Sequence, residues 1–185
     1  ALTEMVFEIL PAAEQSRVVG VSEFSPLPSG KHLPIVSSAT HLDLDRLILQ
    51  KPELVLVSNQ GVIFQRLKSV EPRLASLGAR VQVFSHLRLQ DIAKTYESLG
   101  RLLGQEAKGK ELAQQFVSGL KSIEGRARGM GRFFFQIDAE PLMAVGSAPV
   151  GDQSDFLTEL LSQIGFDNVF KDLKQPYAVI AQESV

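Results

Sequence analysis

The stretch from Arg88 to Arg128 has the longest helical periodicity in this 185-residue sequence, and it restricts the fold more than any other feature. Apolar residues recur in it every three or four positions, as they do on one face of an α-helix. Two helices are predicted, one on each side of Gly104. Their apolar positions are Ile92, Tyr96, Leu99 and Leu103 in the first helix and Leu112, Phe116, Leu120 and Ile123 in the second. The flanking sequence alternates short β-branched runs with short helices, which is typical of parallel α/β layers. The stretch is therefore either a helical bridge between two α/β lobes or a longer pair of crossover helices within one sheet.

The flanking segments can be assigned individually. Before the helical stretch, the patterns predict helices at Thr3–Leu10 and Asp43–Gln50 and strands at Arg17–Val21, Leu33–Val36, Leu54–Val57 and Arg80–Phe84. Helical residues also run from Val62 to Leu77, with an interruption expected at Glu71-Pro72. After the stretch, we expect strands at Arg132–Ile137 and Leu142–Val145, a helix from Asp155 to Gly165, and an apolar segment at Tyr177–Ile180.

Composition excludes several classes of protein. The net charge is −2, whereas nucleic-acid-binding domains normally carry a basic patch. There is no cysteine, which excludes disulfides and thiolate metal sites. No apolar run is long enough to cross a bilayer, and Ala1–Glu4 does not resemble the start of a signal peptide. The sequence is thus either cytosolic or the mature part of an exported protein whose leader is not included.

Three histidines are the first candidates for chemistry. His41 lies close to Asp45 in the sequence, and with His32, His86 and a carboxylate it could form a metal site. However, the histidines lack any paired spacing, so solvent-exposed or locally bonded loop positions are the simpler interpretation. The G-x-S-x-G, P-loop and G-x-G-x-x-G motifs are absent, which argues against a hydrolase triad or a nucleotide site. A metal-dependent enzyme using His41, Asp45 and His86 remains the alternative function.

Asp45 and Glu183 are a second candidate pair. Each is an acidic residue near the start of a predicted short helix, one in each half of the chain. At such a position a carboxylate stabilises the helix dipole by about 0.5 kcal/mol. The same two residues could instead bind arginines on a partner through charge-assisted hydrogen bonds. The residues alone favour the helix-dipole role.

Six segments, in order, resemble the substrate-binding proteins of ABC importers for cobalamin, ferric siderophores and haem. The most specific is Leu42–Leu47 with Lys51–Leu56, which resembles the l-n-l-E-r-i and k-P-D-L-V-i motifs of that family. The others are Leu2–Met5, Arg17–Ser22, Leu77–Val81, Leu99–Gly104 and Phe156–Phe170. Each match is short, and their shared order through most of the chain carries the resemblance.

The resemblance implies an α/β fold of two Rossmann-like lobes with mostly parallel sheets, joined by a long helical bridge. The corresponding boundaries are residues 1–87 for the N-terminal lobe, 88–128 for the bridge and 129–185 for the C-terminal lobe. The sequence starts after the first strand of that family and ends within a helix, so the second lobe is expected to be incomplete. The resemblance implies binding and delivery of a ligand rather than catalysis, with no cofactor.

The resemblance also implies site residues and partners. Cobalamin binders of this family line the cleft with tryptophans, which this chain lacks; at the corresponding places stand Phe24, Ala39, Asn59 and Tyr177. Tyr177 or His41 would suit haem, and a metal- or haem-binding protein of the same fold is a further alternative function. No Arg or Lys stands out for a ferric siderophore. Asp45 and Glu183 match the acidic residues that meet arginines of the membrane permease. The expected protein is a monomer in the periplasm or lipid-anchored outside the cell, and it binds no nucleic acid.

Overall fold

The computed structural model describes residues 2–59, 61–85, 88–134, 136–139, 142–145, 156–170, 172 and 177–180. For residues 137–139, 142–145, 156–157 and 177–178 it describes the backbone. The helices are α1 (Leu2–Ile9), α2 (Leu44–Leu49), α3 (Gly61–Ser76), α4 (Leu89–Leu103), α5 (Glu106–Ile123) and α6 (Phe156–Ile164). The strands are β1 (Val21–Ser22), β2 (Ile35–Ser37), β3 (Leu54–Ser58), β4 (Arg80–Phe84), β5 (Arg132–Phe133), β6 (Gln136–Ala139), β7 (Leu142–Val145), β8 (Asp167–Asn168) and β9 (Tyr177–Val179).

The two-helix interpretation of the central stretch is confirmed. The helices α4 and α5 are separated at Gly104, whose φ of 74° lies in the left-handed region that glycine adopts without strain. The predicted elements at α1, α2, β3, β4, β7 and α6 are also present; β4 and β7 have the predicted bounds, and no boundary of the other four differs by more than one residue.

Three local predictions were wrong. The single strand expected at Arg132–Ile137 is instead two strands, β5 and β6, which belong to different sheets. In the strand predicted at Arg17–Val21, Arg17 is the last residue of a 3-10 helix, Ala12–Arg17, and strand pairing starts only at Val21. The ladder begins with Val21 N–H donating to the carbonyl of Pro34, and Pro34 has no N–H that could extend the parallel ladder to a carbonyl before Val21. Conversely, α3 continues through Pro72, which lies on the exposed face of the helix, where water can bind the carbonyl that the proline leaves unpaired.

By its internal contacts the chain divides into two compact units. One comprises Ala1–Ser85 with Thr95–Leu112, and the other comprises His86–Lys94 with Ala113–Val185. Both α4 and α5 contribute residues to each unit. The division into lobes at 1–87 and 129–185 with a bridge between them stays a prediction.

The first unit contains two parallel strand pairs, β1–β2 and β3–β4. In the second pair Leu54 lies opposite Arg80 and Ser58 opposite Phe84, so both strands end at the same edge. A cluster of buried side chains from α2, β3, α3 and the residues just before α2 and β4 forms the core of this unit; its members are Leu42, Leu47, Val57, Leu67, Leu74 and Ala79. Because Val36 of β2 packs on the same cluster, both strand pairs rest on one hydrophobic core.

Two contacts hold the helices of this unit together. Gly100 of α4 and Gly109 of α5 are both buried, and a Cβ added at Gly109 would lie 2.8 Å from the Cα of Gly100. The two backbones therefore approach closely because neither residue has a side chain. In addition, Tyr96 donates its hydroxyl to Glu8 of α1 at 2.5 Å. Burial raises the pKa of Tyr96, and the hydrogen bond to the Glu8 carboxylate raises it further.

The second unit combines a parallel pair, β5–β8, with an antiparallel sheet in the order β6-β7-β9. The strands β6 and β7 are joined by residues 140–141 alone, a connection that permits only an antiparallel hairpin. Glu159 of α6 accepts a hydrogen bond from the backbone N–H of Leu89 at 2.8 Å and lies 3.6 Å from the Arg88 guanidinium. This carboxylate thus caps the N-terminus of α4.

Candidate functional site

The predicted ligand-binding residues of the first unit follow the carboxyl ends of its strands. Phe24 comes after β1, Ala39 after β2 and Asn59 after β3. The backbone N–H of Glu23 donates to the Ser37 carbonyl at 2.8 Å, which places the ends of β1 and β2 side by side. Small molecules bind at this edge of open α/β sheets, because the loops that follow the strands meet there.

Phe24 is the most exposed aromatic ring among the described residues of this edge. It lies in a tight turn in which Ser25 N–H donates to the Ser22 carbonyl at 3.0 Å, and 75% of its surface is accessible. An exposed phenyl ring gains roughly 1.5–3 kcal/mol when it is fully covered. The turn therefore presents an apolar flat surface to solvent, and the expected role of Phe24 in ligand binding stays a prediction.

The loop after β2 holds Ala39 in a fixed conformation. Ser38 accepts at its hydroxyl from the N–H of His41 at 3.1 Å, and its own N–H donates to the His41 carbonyl at 2.8 Å. Ala39 is exposed at the tip of this turn and offers a methyl group and its backbone. His41 is exposed in the same loop.

Asn59 is attached to the end of β4 through its backbone. Its N–H donates to the Phe84 carbonyl at 2.8 Å. Its side-chain oxygen is buried, and within the described part of the chain no group donates to it. An unpaired buried acceptor costs about 1–3 kcal/mol, so this amide is a candidate to bind a hydrogen-bond donor of a ligand.

Asp45 lies in the first turn of α2 on the exposed side of the helix. The preceding Asp43 is the N-cap and accepts from the N–H of Arg46 at 2.9 Å. The Arg46 side chain donates to the Ile35 carbonyl at 3.1 Å and lies 3.5 Å from Asp43. Since Asp43 performs the capping and pairs with Arg46, the Asp45 carboxylate points to solvent without an ion pair among the described residues.

The remaining predicted residues are only partly covered by the structure. Tyr177 belongs to β9, where it lies opposite Val145, and its backbone alone is described. Glu183 and His86 lie outside the described residues. In the parts of the chain that the structure describes, no three His, Asp or Glu side chains come together as a metal site would require.

Two concave surfaces lie away from the predicted residues. In the first unit, about 220 Å³ of space separates α3 from β3 and β4, with mostly apolar walls around Val57, Phe64 and Leu67. In the second unit, an open groove of about 520 Å³ runs between the turn at 124–129 and the end of α6. The second is wide, shallow and polar, and neither coincides with Phe24, Ala39 or Asn59.

One feature of the edge escaped the interpretation of the sequence. Each strand of the first unit ends in or is followed directly by serine, and the residues concerned are Ser22, Ser37, Ser58 and Ser85. The sequence does contain the signal, since each serine follows an apolar run. Its meaning depends on the parallel arrangement, which brings the ends of paired strands to one edge.

None of the described helices is both long and apolar enough to cross a membrane. The family described as periplasmic binding protein matches the chain over residues 1–185. The vitamin B12-binding protein of Salmonella typhi is 28% identical over 191 residues, covering 100% of this chain and 65% of its own length. That of Salmonella typhimurium is 26% identical over 170 residues, covering 90% of this chain and 60% of its own length. The chain thus spans less than two thirds of the length of these relatives.

Solved structures show the same fold. The periplasmic vitamin B12 binding protein BtuF of Vibrio cholerae superposes with a TM-score of 0.75 at 22% identity, over 98% of this chain and 67% of that protein. The periplasmic heme binding protein HutB of Vibrio cholerae gives a TM-score of 0.80 at 18% identity, over 100% of this chain and 68% of that protein. Since the family match extends from the first residue to the last, the chain belongs to the periplasmic binding protein family.

Proposed function

We propose that this protein is the substrate-binding component of an ABC importer and that it captures a corrinoid, a ferric siderophore or haem. The observation that carries the proposal is the family match over residues 1–185, together with relatives named for vitamin B12 and structural neighbours named for vitamin B12 and haem. The binding protein performs no chemistry on its ligand, so it needs no catalytic residue.

The ligand is proposed to lie over the strand ends of the first unit. Phe24 would stack on its flat face, and offset stacking of this kind contributes about 0.5–1.5 kcal/mol beyond buried area. The Asn59 amide oxygen would accept a hydrogen bond from it, and Ala39 leaves room for a wide molecule. From the second unit, Tyr177 is proposed as a further aromatic contact.

Delivery requires a membrane partner, and Asp45 is proposed to bind it. Its carboxylate is exposed and free of the capping role that Asp43 performs, which supports a role in binding an arginine of the permease. Glu183 is proposed to do the same from the second half of the chain. The proposed location is the periplasm, or the outer face of the membrane through a lipid anchor, and the proposed state is a monomer.

The ligand-binding role can be tested by titration with cyanocobalamin, hemin and ferrioxamine B, using protein expressed from its complete gene. Phe24→Ala should weaken the binding of a flat ligand about fivefold, which corresponds to a loss of about 1 kcal/mol. The matched control is Leu49→Ala, because Leu49 is 74% exposed on α2 and lies outside the proposed site.

Equal affinities of wild type, Phe24→Ala and Leu49→Ala would remove Phe24 from the site. Failure of the wild type to bind any of the three ligands would contradict the proposed function itself.

A further inference from the structure

Three hydroxyl groups form a continuous chain beside Phe24. The hydroxyl of Ser25 lies 2.8 Å from that of Ser22 and 2.9 Å from that of Thr3. Ser22 ends β1, whereas Thr3 belongs to the first turn of α1. The chain therefore links a helix to the turn that presents Phe24.

The three hydroxyl groups have one O–H donor that the contacts between them do not use. Each hydroxyl carries one hydrogen, so three hydroxyls carry three, and the two contacts between them use two. Among the described residues no other hydrogen bond of these hydroxyls occurs. If Thr3 donates to Ser25 and Ser25 donates to Ser22, the unused hydrogen is on Ser22.

The exposure of Ser22 favours donation in the direction Thr3 to Ser25 to Ser22 when a ligand is present. Ser22 is exposed, whereas Thr3 and Ser25 are half-buried. A hydrogen at the exposed end can reach an acceptor, and each donor in a chain strengthens the next. Phe24 lies between Ser22 and Ser25 in the same turn, so the exposed ring is two residues along the chain from the free hydroxyl.

We propose that the chain Thr3–Ser25–Ser22 is a hydrogen-bonding subsite that binds an oxygen acceptor on the rim of a flat ligand stacked on Phe24. This subsite rests on the proposed function and assigns residues that specify the ligand. The acceptor is a carbonyl or carboxylate oxygen. A corrinoid would supply it as a carboxamide, and haem would supply it as a propionate. Glu23 lies in the same turn, so its negative charge favours the uncharged carboxamide.

The test compares hydroxyl removal at two places in the first unit. Ser22→Ala/Ser25→Ala removes the exposed hydroxyl and the central hydroxyl of the three without changing Phe24. Ser69→Ala/Ser76→Ala is the control, because these α3 hydroxyls donate to carbonyls within their own helix at 2.7 and 2.8 Å. Ser22→Thr/Ser25→Thr keeps both hydroxyls and serves as the rescue variant.

Each variant is titrated by absorbance with cyanocobalamin and with hemin, and its thermal melting is recorded. Loss of one hydrogen bond should weaken binding about three- to tenfold in Ser22→Ala/Ser25→Ala, while the control and rescue variants bind as the wild type does. We expect the loss with cyanocobalamin. A loss confined to hemin would assign the acceptor to a carboxylate and overturn the preference attributed to Glu23.

A purely structural hydroxyl chain would give a different result. The alanine pair would then melt at a lower temperature but bind both ligands with unchanged affinity, and the subsite would be refuted while the proposed function stood. Absence of binding by the wild type itself would refute the proposed function.

Discussion

Replacing Gly109 by alanine should destabilise the protein, although alanine is the better helix former. A Cβ at this position would lie 2.6 Å from the carbonyl oxygen of Tyr96 and 2.8 Å from the Cα of Gly100. Both atoms belong to the backbone of α4, so neither can rotate away as the end of a flexible side chain would. The new methyl group forces the two helices apart.

The size of the effect follows from two opposing terms. Ordinary carbon contacts begin near 3.4 Å, so α4 must move by more than half an ångström, and overpacking of this kind costs about 1–3 kcal/mol. Alanine in place of glycine in a helix returns about 1 kcal/mol. Because the clash is between backbone atoms, we expect the overpacking cost to lie near the top of its range, at about 3 kcal/mol. The net loss of stability is then about 2 kcal/mol.

The same helix provides the matched control. Gly119 is exposed in α5, and a Cβ there would have no neighbour within 4 Å. Gly119→Ala should therefore stabilise by about 0.5–1 kcal/mol through helix propensity alone. Urea denaturation followed by far-UV circular dichroism measures both, and for a chain of this size each kcal/mol shifts the melting temperature by about 2–4 °C.

The two substitutions should thus have opposite signs. If Gly109→Ala stabilised the protein as much as Gly119→Ala does, α4 and α5 would not approach at Gly100 and Gly109, and the packing described for the first unit would be wrong.

Two further predictions concern charge. Because the pKa of Tyr96 is raised in the folded state, the unfolded state loses the tyrosine proton first above about pH 10. The stability that this proton contributes is therefore present below pH 10 and declines above it. Urea denaturation between pH 8 and 11.5 should show that the wild type loses stability with rising pH more steeply than Tyr96→Phe. Asp45→Ala should leave the ligand affinity unchanged but strongly reduce import by intact cells. As a control, removal of the exposed carboxylate of Glu53 should leave import unchanged. Reduced ligand affinity in Asp45→Ala would contradict the docking role.

Local signals were sufficient to predict some elements. The helix α2 starts at an aspartate that caps it, and its inward leucines recur at helical spacing, so every cue lies within eight residues. The helices around Gly104 were predicted for the same reason. The interruption expected at Pro72 was wrong because the rule for proline considers the missing hydrogen bond, and the exposure of that face is set by tertiary packing.

Contacts between distant residues could not be predicted. Nothing local indicates that Gly100 meets Gly109, since both positions by themselves only weaken a helix. Likewise, the hydrogen bond from Leu89 to Glu159 joins residues 70 positions apart. Phe24 was identified through the family resemblance and Asp45 first through its position near a helix start, and the structure adds that both are exposed. The hydroxyl chain needed both the turn after β1 and the position of α1.

The most direct test of the central claim is the visible absorption spectrum of the purified protein. Protein expressed from its complete gene is incubated separately with cyanocobalamin, hemin and ferrioxamine B, and free ligand is removed by gel filtration. A member of this family that captures such a ligand should elute with the absorption band of one of the three in stoichiometric amount. Elution without any of these bands in all three incubations would contradict the account.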